Sequence, residues 1–87
     1  KPKPVVRVDP DENVFSGEKV TLICDIQETG VWQYSWNKDG KPVYNAGRYQ
    51  NYIITSVDRS HDGVYSCRVS QYSHHSEFSD GVKLTVS

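Results

Sequence analysis

The sequence predicts an all-β fold, either an antiparallel sandwich or a small barrel, from three observations. Apolar and polar residues alternate along most of the 87-residue chain, which is the pattern of strands with one buried face. Turn-forming residues separate these runs every eight to twelve residues. A chain of this length buries only about 60 to 65% of its unfolded surface, so a covalent bridge between its two cysteines, Cys24 and Cys67, would support a thin core.

The first half of the chain predicts four strands. KPVVRV is expected at a sheet edge, because prolines cannot donate to a hydrogen-bonded ladder, and residues 13–15 can pair separately after the DPDE turn. KVTLICDI alternates, and VWQYSWNK is followed by an Asp-Gly turn in KDGK. The residues predicted to face inward in these two strands are Val20, Leu22, Cys24, Ile26, Trp32, Tyr34 and Trp36.

The second half predicts three more strands of the same kind. In QNYIITSV, Tyr52 and Ile54 share a face, which Val57 joins if the chain kinks near Ser56. VYSCRV and GVKLTVS alternate strictly. Their predicted inward residues are Tyr65, Cys67, Val69, Val82, Leu84 and Val86.

Composition excludes several classes of function. The net charge of -1, without a basic block, indicates neither a nucleic-acid surface nor membrane contact by this domain, and no apolar run is long enough for a spanning helix. No cofactor motif is present. The neighbours Ser60, His61 and Asp62 point in divergent directions in a turn, so no catalytic residue and no enzyme is predicted.

No metal site is predicted either. Asp9, Asp11 and Glu12 lack the further ligands and the glycine of a calcium loop. Two cysteines so far apart cannot form a tetrahedral zinc site, and there is no CxxC motif, so pairing as a structural disulfide is favoured. A disulfide implies an extracellular setting. An intracellular domain with unpaired core cysteines is the alternative.

Five residues carry a more specific pattern. Trp36 follows Cys24 by twelve residues, which allows an indole to pack against a bridge between Cys24 and Cys67 across two sheets. Tyr65 lies two residues before Cys67, the position of a tyrosine corner, in which the hydroxyl bonds backbone just upstream. Gly63 completes the DGVYSC segment.

With Cys24, Trp36, DGVYSC and the closing VKLTV, the chain resembles an immunoglobulin domain over essentially its whole length, residues 1–87. The resemblance implies a sandwich of about seven to eight strands with one inter-sheet disulfide. The short segment between Asn37 and Gln50 leaves no room for the extra hairpin of variable-type domains, which implies a C2 or I-type domain. One departure is His61, which stands where many members carry an aspartate that forms an acidic interaction at this corner. An ion pair of Asp62 with Arg59 or Arg48 could replace that interaction.

A narrower likeness covers KPKPVVRVDPDENVFSGEKVTLICDI, YSW, DGVYSCRV and FSDGVKLTVS, which resemble ectodomain modules of Fc receptor-like and leukocyte immune-type receptors, especially those of bony fishes. This likeness implies one module of a type I cell-surface receptor, or of a secreted form, with neighbouring immunoglobulin domains. The signal peptide and transmembrane segment would lie outside this chain, and residues 1–4 would form a linker or sheet edge.

Ligand binding in such a scaffold is expected in loops. The segments QETGVWQY and SQYSHHSEF are predicted at the same end of the sandwich, with YNAGRYQ as a third candidate. For Trp32 the alternative is a cap over the core, and for Tyr72, His74 and His75 it is an ordinary solvated loop. The candidate ligand-binding residues are Trp32, Gln33, Arg48, Tyr72, His74 and His75.

Two classes of function follow. In the first, loops at the ends of the sandwich recognise a protein, with immunoglobulin Fc or another cell-surface protein as candidate partners. In the second, the domain is a spacer or adhesion module with polar loop ends and apolar contact surface near its termini. No asparagine lies in an N-glycosylation sequon, so both sheets are free for protein contact.

Overall fold

The computed structural model describes residues 3–87, in which every regular element is a strand except for two single-turn 3-10 helices. The strands are β1 (Val5–Asp9), β2 (Asn13–Val14), β3 (Val20–Asp25), β4 (Gln33–Lys38), β5 (Lys41–Pro42), β6 (Asn51–Ile54), β7 (Gly63–Gln71), β8 (His74–His75) and β9 (Val82–Val86). The 3-10 helices span Tyr44–Ala46 and Arg59–His61. Across this described range, no helix is long and apolar enough to cross a membrane.

The strands form two sheets. A 3-stranded sheet has the order β1-β3-β6, and a 6-stranded sheet has the order β2-β9-β7-β4-β5, with β8 paired to β7. The β2–β9 pair is parallel and the other pairs are antiparallel. The all-β sandwich predicted from the sequence is therefore confirmed.

The predicted disulfide joins the two sheets and is also confirmed. Cys24 on β3 and Cys67 on β7 are bonded, with 6.1 Å between their Cα atoms. Trp36 lies beside Cys67 on the neighbouring strand, is only 2% exposed, and donates from its indole N–H to the Tyr49 carbonyl at 3.0 Å. The indole is thus buried next to the bridge without leaving its polar atom unpaired.

The core comes from the inward faces that alternation predicted. Leu22, Val69 and Leu84 are fully buried, and each such side chain contributes about 1.5–3 kcal/mol by leaving water. Val57 is 1% exposed and joins them. The partly buried residues packed around this core include Ile26, Trp32, Tyr34, Tyr52 and Val82.

The Asp-Gly turn after β4 has the backbone that a two-residue hairpin requires. Asp39 and Gly40 have φ values of 52° and 80°, and positive φ at both positions matches the twist of the paired strands. The Asp39 carboxylate also accepts from the Val64 backbone N–H at 2.9 Å. A Cβ on Gly63 would lie 2.9 Å from that carboxylate, which explains why glycine begins β7.

A tyrosine corner lies at the start of β7. The buried Tyr65 donates from its hydroxyl to the His61 carbonyl at 2.6 Å. Burial of the phenol raises the pKa of Tyr65 well above its usual range. The His61 ring in turn caps the 3-10 helix, because its Nδ1 accepts from the Asp58 backbone N–H at 3.1 Å.

The predicted ion pair of Asp62 with Arg59 or Arg48 was wrong. Its carboxylate pairs with Lys83 and accepts from the Val86 backbone N–H at 2.8 Å, rather than meeting Arg59 or Arg48. The antiparallel register of β7 and β9 brings β9 alongside Asp62, whereas Arg48 lies beside Gln33 at the far end of β4. The hydrogen bond from Lys83, followed by that from Val86, lowers the pKa of Asp62.

Part of the predicted linker packs on the domain. Pro4 is buried, and Lys3 forms an ion pair with Asp80 at 3.0 Å. Residues 1 and 2, which belong to the same prediction, lie outside the described residues.

Candidate binding surface at the loop end

Two of the three candidate loops meet at one end of the six-stranded sheet. Gln33, where β4 begins, pairs with Ser70 near the end of β7. After Gln71 the chain turns through residues 72 and 73 into β8, so that His74 pairs with Gln71. We call residues 27–33 and 70–75 together the loop end.

Tyr72 forms the tip of this hairpin. Its side chain is 95% exposed and its backbone has a φ of 57°, a left-handed conformation that is unfavourable for a bulky residue by roughly 1–2 kcal/mol. The pairing of Gln71 with His74 on either side holds the turn closed. The tip therefore presents an aromatic ring to solvent from a constrained backbone.

The two loops of the loop end are tied to each other. The Gln71 side-chain amide donates to the Val31 carbonyl at 3.3 Å. A Cβ on Gly30 would lie 3.2 Å from the same amide nitrogen, and Gly30 has a φ of 139°, so glycine permits this close approach. The loops consequently form one continuous surface.

That surface contains a shallow cleft of mixed chemistry. Val31 is 88% exposed and Tyr72 is 95% exposed, and both line the cleft. The cleft combines the apolar side chains of Val31 and Tyr72 with amide and hydroxyl groups, a composition typical of protein-recognition sites. Its lining residues are Val31, Gln33, Ser70, Gln71 and Tyr72.

Trp32 occupies a different position from Tyr72. It is half-buried, packs against the core, and donates from its indole N–H to the Glu28 carbonyl at 3.4 Å. This is the core cap that the sequence left open as the alternative. A contact between Trp32 and a ligand stays a prediction.

The remaining candidates lie around the loop end. Arg48 places its guanidinium 3.5 Å from the Gln33 side-chain oxygen, which brings it to the edge of the cleft. His74 and His75 are exposed and, as neighbours on β8, point to opposite faces. Among residues 3–87, no cluster of three histidine, cysteine or acidic side chains could hold a metal ion.

Val31 is the loop-end residue that the sequence reading missed. The signal for it is alternation: with Trp32 turned toward the core, Val31 and Gln33 on either side must face out. An exposed valine next to an exposed tyrosine gives the site an apolar component that polar loop composition alone does not indicate.

Comparison with known proteins agrees with this architecture. A family model described as "Immunoglobulin domain" matches residues 3–86. The chain belongs to the immunoglobulin domain family. The second Ig-C2 domain of human Fc-receptor like A superposes on this immunoglobulin domain with a TM-score of 0.81, covering 99% of this chain and 98% of that one. Their sequence identity of 24% supports the fold alone, which is of C2 type.

The curated relatives that the chain matches are much longer proteins. Hemicentin-1 of Homo sapiens is 31% identical over 85 residues, covering 88% of this chain and 2% of that protein. Leukocyte immunoglobulin-like receptor subfamily B member 3A of Rattus norvegicus is 27% identical over 93 residues, covering 99% of this chain and 12% of that protein. The chain thus spans only a small part of either relative.

These findings define the class of function. The domain is similar to immunoglobulin modules of receptor and adhesion proteins, which are not enzymes. The likeness to bony-fish receptors is not tested by these relatives and stays a prediction.

Proposed function

We propose that this immunoglobulin domain is an extracellular module of a multi-domain immune-cell receptor and binds a protein ligand through its loop end. The observation that carries the proposal is Tyr72, which is 95% exposed at the tip of a tight hairpin. Tyrosine is enriched among residues that dominate protein interfaces, because it supplies a large contact area with little rotamer entropy to lose.

The surroundings of Tyr72 suit such a contact. Val31, on the neighbouring loop, adds exposed apolar area, and Gln33 and Arg48 add polar groups at the edge of the cleft. Tyr72 and Val31 would form the centre of the contact and the polar groups its rim. Immunoglobulin Fc and other cell-surface proteins are the partners that we would test first.

The disulfide supports the extracellular part of the proposal. Cys24 and Cys67 are paired in the core, and such bridges persist in oxidising compartments. In this proposal residues 1–87 are one domain, joined to neighbouring modules in a type I receptor or in a secreted form.

A spacer or adhesion role is the second candidate, and one observation favours it. Phe15 is 71% exposed, and the next residue, Ser16, donates from its backbone N–H to the Ser87 carbonyl at 2.9 Å. An apolar ring beside residue 87 would suit contact with an adjacent module. This role requires no ligand at the loop end.

The two candidates are separated by a binding screen with matched variants. The biotinylated chain, assembled on streptavidin, is screened against immunoglobulin Fc and a panel of displayed cell-surface proteins. We expect Tyr72→Ala to weaken binding to a hit about 30-fold, as for an interface hot spot. Ile53→Ala is the control, because Ile53 is an apolar residue, 52% exposed on β6, which belongs to the other sheet from the loop-end strands β4 and β7.

The outcomes discriminate clearly. If Tyr72→Ala and Ile53→Ala bind equally well, the loop end is not the contact. If binding is lost on Phe15→Ser instead, the contact lies at Phe15, which favours the adhesion form of the second candidate. Melting temperatures of all variants show whether any loss of binding reflects unfolding.

A further inference from the structure

The chain between β8 and β9 contains a β-bulge against β7. The Ser76 backbone N–H donates to the Val69 carbonyl at 2.8 Å, and the Ser79 backbone N–H donates to the Cys67 carbonyl at 2.8 Å. The four residues from Ser76 to Ser79 therefore lie opposite the three residues from Cys67 to Val69. Bulges of this kind change the direction of side chains and are frequent at functional surfaces.

Two serine hydroxyls complete the ladder at the bulge. The Oγ atoms of Ser76 and Ser79 accept from the backbone N–H groups of Val69 and Cys67, both at 3.0 Å. Both serines are buried. Because their side chains replace the carbonyl acceptors of a regular strand, Glu77 and Phe78 are displaced outward.

Phe78 consequently lies over an arginine on the outer face of the sheet. The Arg68 guanidinium carbon is 4.7 Å from the centre of the Phe78 ring. Arg68 points outward because its neighbours Cys67 and Val69 face the core. A guanidinium stacked in this way is held in one orientation before any ligand arrives.

The charge of Arg68 is not neutralised within the described residues. The ion pairs formed by residues 3–87 do not include it. Its Nε is buried and has no hydrogen-bond partner in the same part of the chain. The terminal guanidinium nitrogens are not buried in this way, so they are the donors that an acceptor on a partner can reach.

The residues directly beside Arg68 on β4 and β7 are small and uncharged. Ser35 pairs with Arg68 on the adjacent strand, and Ser66 and Ser70 flank it along β7. Val64 is 44% exposed further along the same face. We call Ser35, Val64, Ser66, Arg68, Ser70 and Phe78 the outer face.

We propose that the outer face docks an acidic partner protein. A carboxylate of the partner accepts hydrogen bonds from the Arg68 guanidinium, and an apolar side chain of the partner packs on Phe78 and Val64. Arginine and aromatic side chains are enriched at the energetic centres of interfaces, and the fork of a guanidinium matches a carboxylate. This proposal goes beyond the loop end, since it needs neither Tyr72 nor Val31.

A partner of complementary charge fits this face better than a second copy of the chain. A symmetric pair centred on Arg68 would bring two guanidinium groups together, and like charges facing each other are unfavourable. The serines next to Arg68 offer no carboxylate to separate them, and the exposed Glu77 of the bulge forms no ion pair with Arg68 within residues 3–87.

The test is selection of random linear peptides, displayed on phage, against the immobilised 87-residue chain at low salt. We expect enriched peptides to contain Asp or Glu next to an apolar residue. Their binding should fall about 30-fold on Arg68→Gln, by an intermediate amount on Arg68→Lys, and with rising salt. Arg59→Gln is the matched control, an exposed arginine on the Arg59–His61 helix, and should leave binding unchanged.

Further variants separate this proposal from the loop-end proposal. Peptides that bind Tyr72→Ala normally but lose affinity for Arg68→Gln support the outer face alone. Phe78→Leu, which keeps an apolar side chain but removes the ring, should also weaken them. Because Arg68→Lys keeps the positive charge and the apolar stem, it provides a folded variant if Arg68→Gln is unstable.

Four results would overturn the proposal. The first two are a selection that yields no Arg68-dependent peptide and selected peptides that are not enriched in acidic residues. The third is self-association of the chain in sedimentation experiments that depends on Arg68. The fourth is Arg68-dependent binding to sialylated glycans in place of peptides.

Discussion

Replacing Ser79 with alanine removes the acceptor of a buried backbone N–H at the centre of β7. Ser79 is 7% exposed, and its Oγ lies 3.0 Å from the Cys67 nitrogen. In Ser79→Ala this donor stays buried without a partner, which costs about 1–3 kcal/mol. For a domain of this size a loss of about 2 kcal/mol lowers the melting temperature by roughly 8–16 °C.

Urea unfolding with the disulfide intact, followed by the fluorescence of Trp32 and Trp36, measures this loss. Native-state hydrogen exchange of the Cys67 amide provides a local readout, because the unpaired N–H should exchange faster than in the parent chain. Ser35→Ala is the matched control. Ser35 is exposed on β4, so its replacement should change stability by less than about 0.5 kcal/mol.

The result that would refute this reasoning is equality of the two serine variants. If Ser79→Ala also costs less than about 0.5 kcal/mol and the Cys67 amide exchanges at the parent rate, the hydroxyl is not the acceptor of that N–H. The bulge would then require another explanation, and with it the outward position of Phe78.

Three further predictions concern the corner and the hairpin tip. Tyr65→Phe should cost about 0.5–1.5 kcal/mol in urea unfolding, because it removes the hydrogen bond to the His61 carbonyl; unchanged stability would contradict this. The pKa of Asp62 is lowered in the folded state, first by Lys83, so its contribution is present above the ordinary pKa of about 3.9 and is lost as the pH falls below it. In Asp62→Asn, the free energy of unfolding should depend less on pH between about pH 5 and pH 2. An unchanged slope of that free energy against pH would refute the assignment. Tyr72→Gly should stabilise the fold by about 1 kcal/mol by relieving its positive φ; a loss of stability would argue against strain.

The strands could be predicted because burial of one face leaves a period of two in the sequence. Leu22, Val69 and Leu84 stand at inward positions of runs that alternate strictly, and each is fully buried. The cysteine spacing and Tyr65 added long-range information that periodicity alone does not contain. The hairpin after β4 followed from the backbone preference of Asp-Gly.

The bulge could not be predicted in this way. If the alternation of Val82 and Leu84 is continued backward, it places Phe78 inward and Ser79 outward. The structure has the reverse, because the Ser79 hydroxyl accepts from Cys67 and shifts the register. That contact joins residues far apart in sequence, so no local pattern reports it.

The partner of Asp62 escaped prediction for a related reason. Several cations were available in the sequence, and the surface ion pairs they form differ little in energy. The register of β7 and β9 decides which cation lies near, and it brings Lys83 rather than Arg48 to the carboxylate.

The two proposed surfaces depend on the same strand, which makes their independence testable. β7 carries Arg68 on its outer face and leads directly into the turn at Tyr72, with Ser70 between them. A variant that shifts the β7 register would disturb both surfaces, whereas substitutions that keep the backbone, such as Arg68→Lys and Tyr72→Ala, should act on one only. If each of these variants weakened both kinds of binding, one contiguous interface would explain the data better than two, and its centre would lie near Ser70.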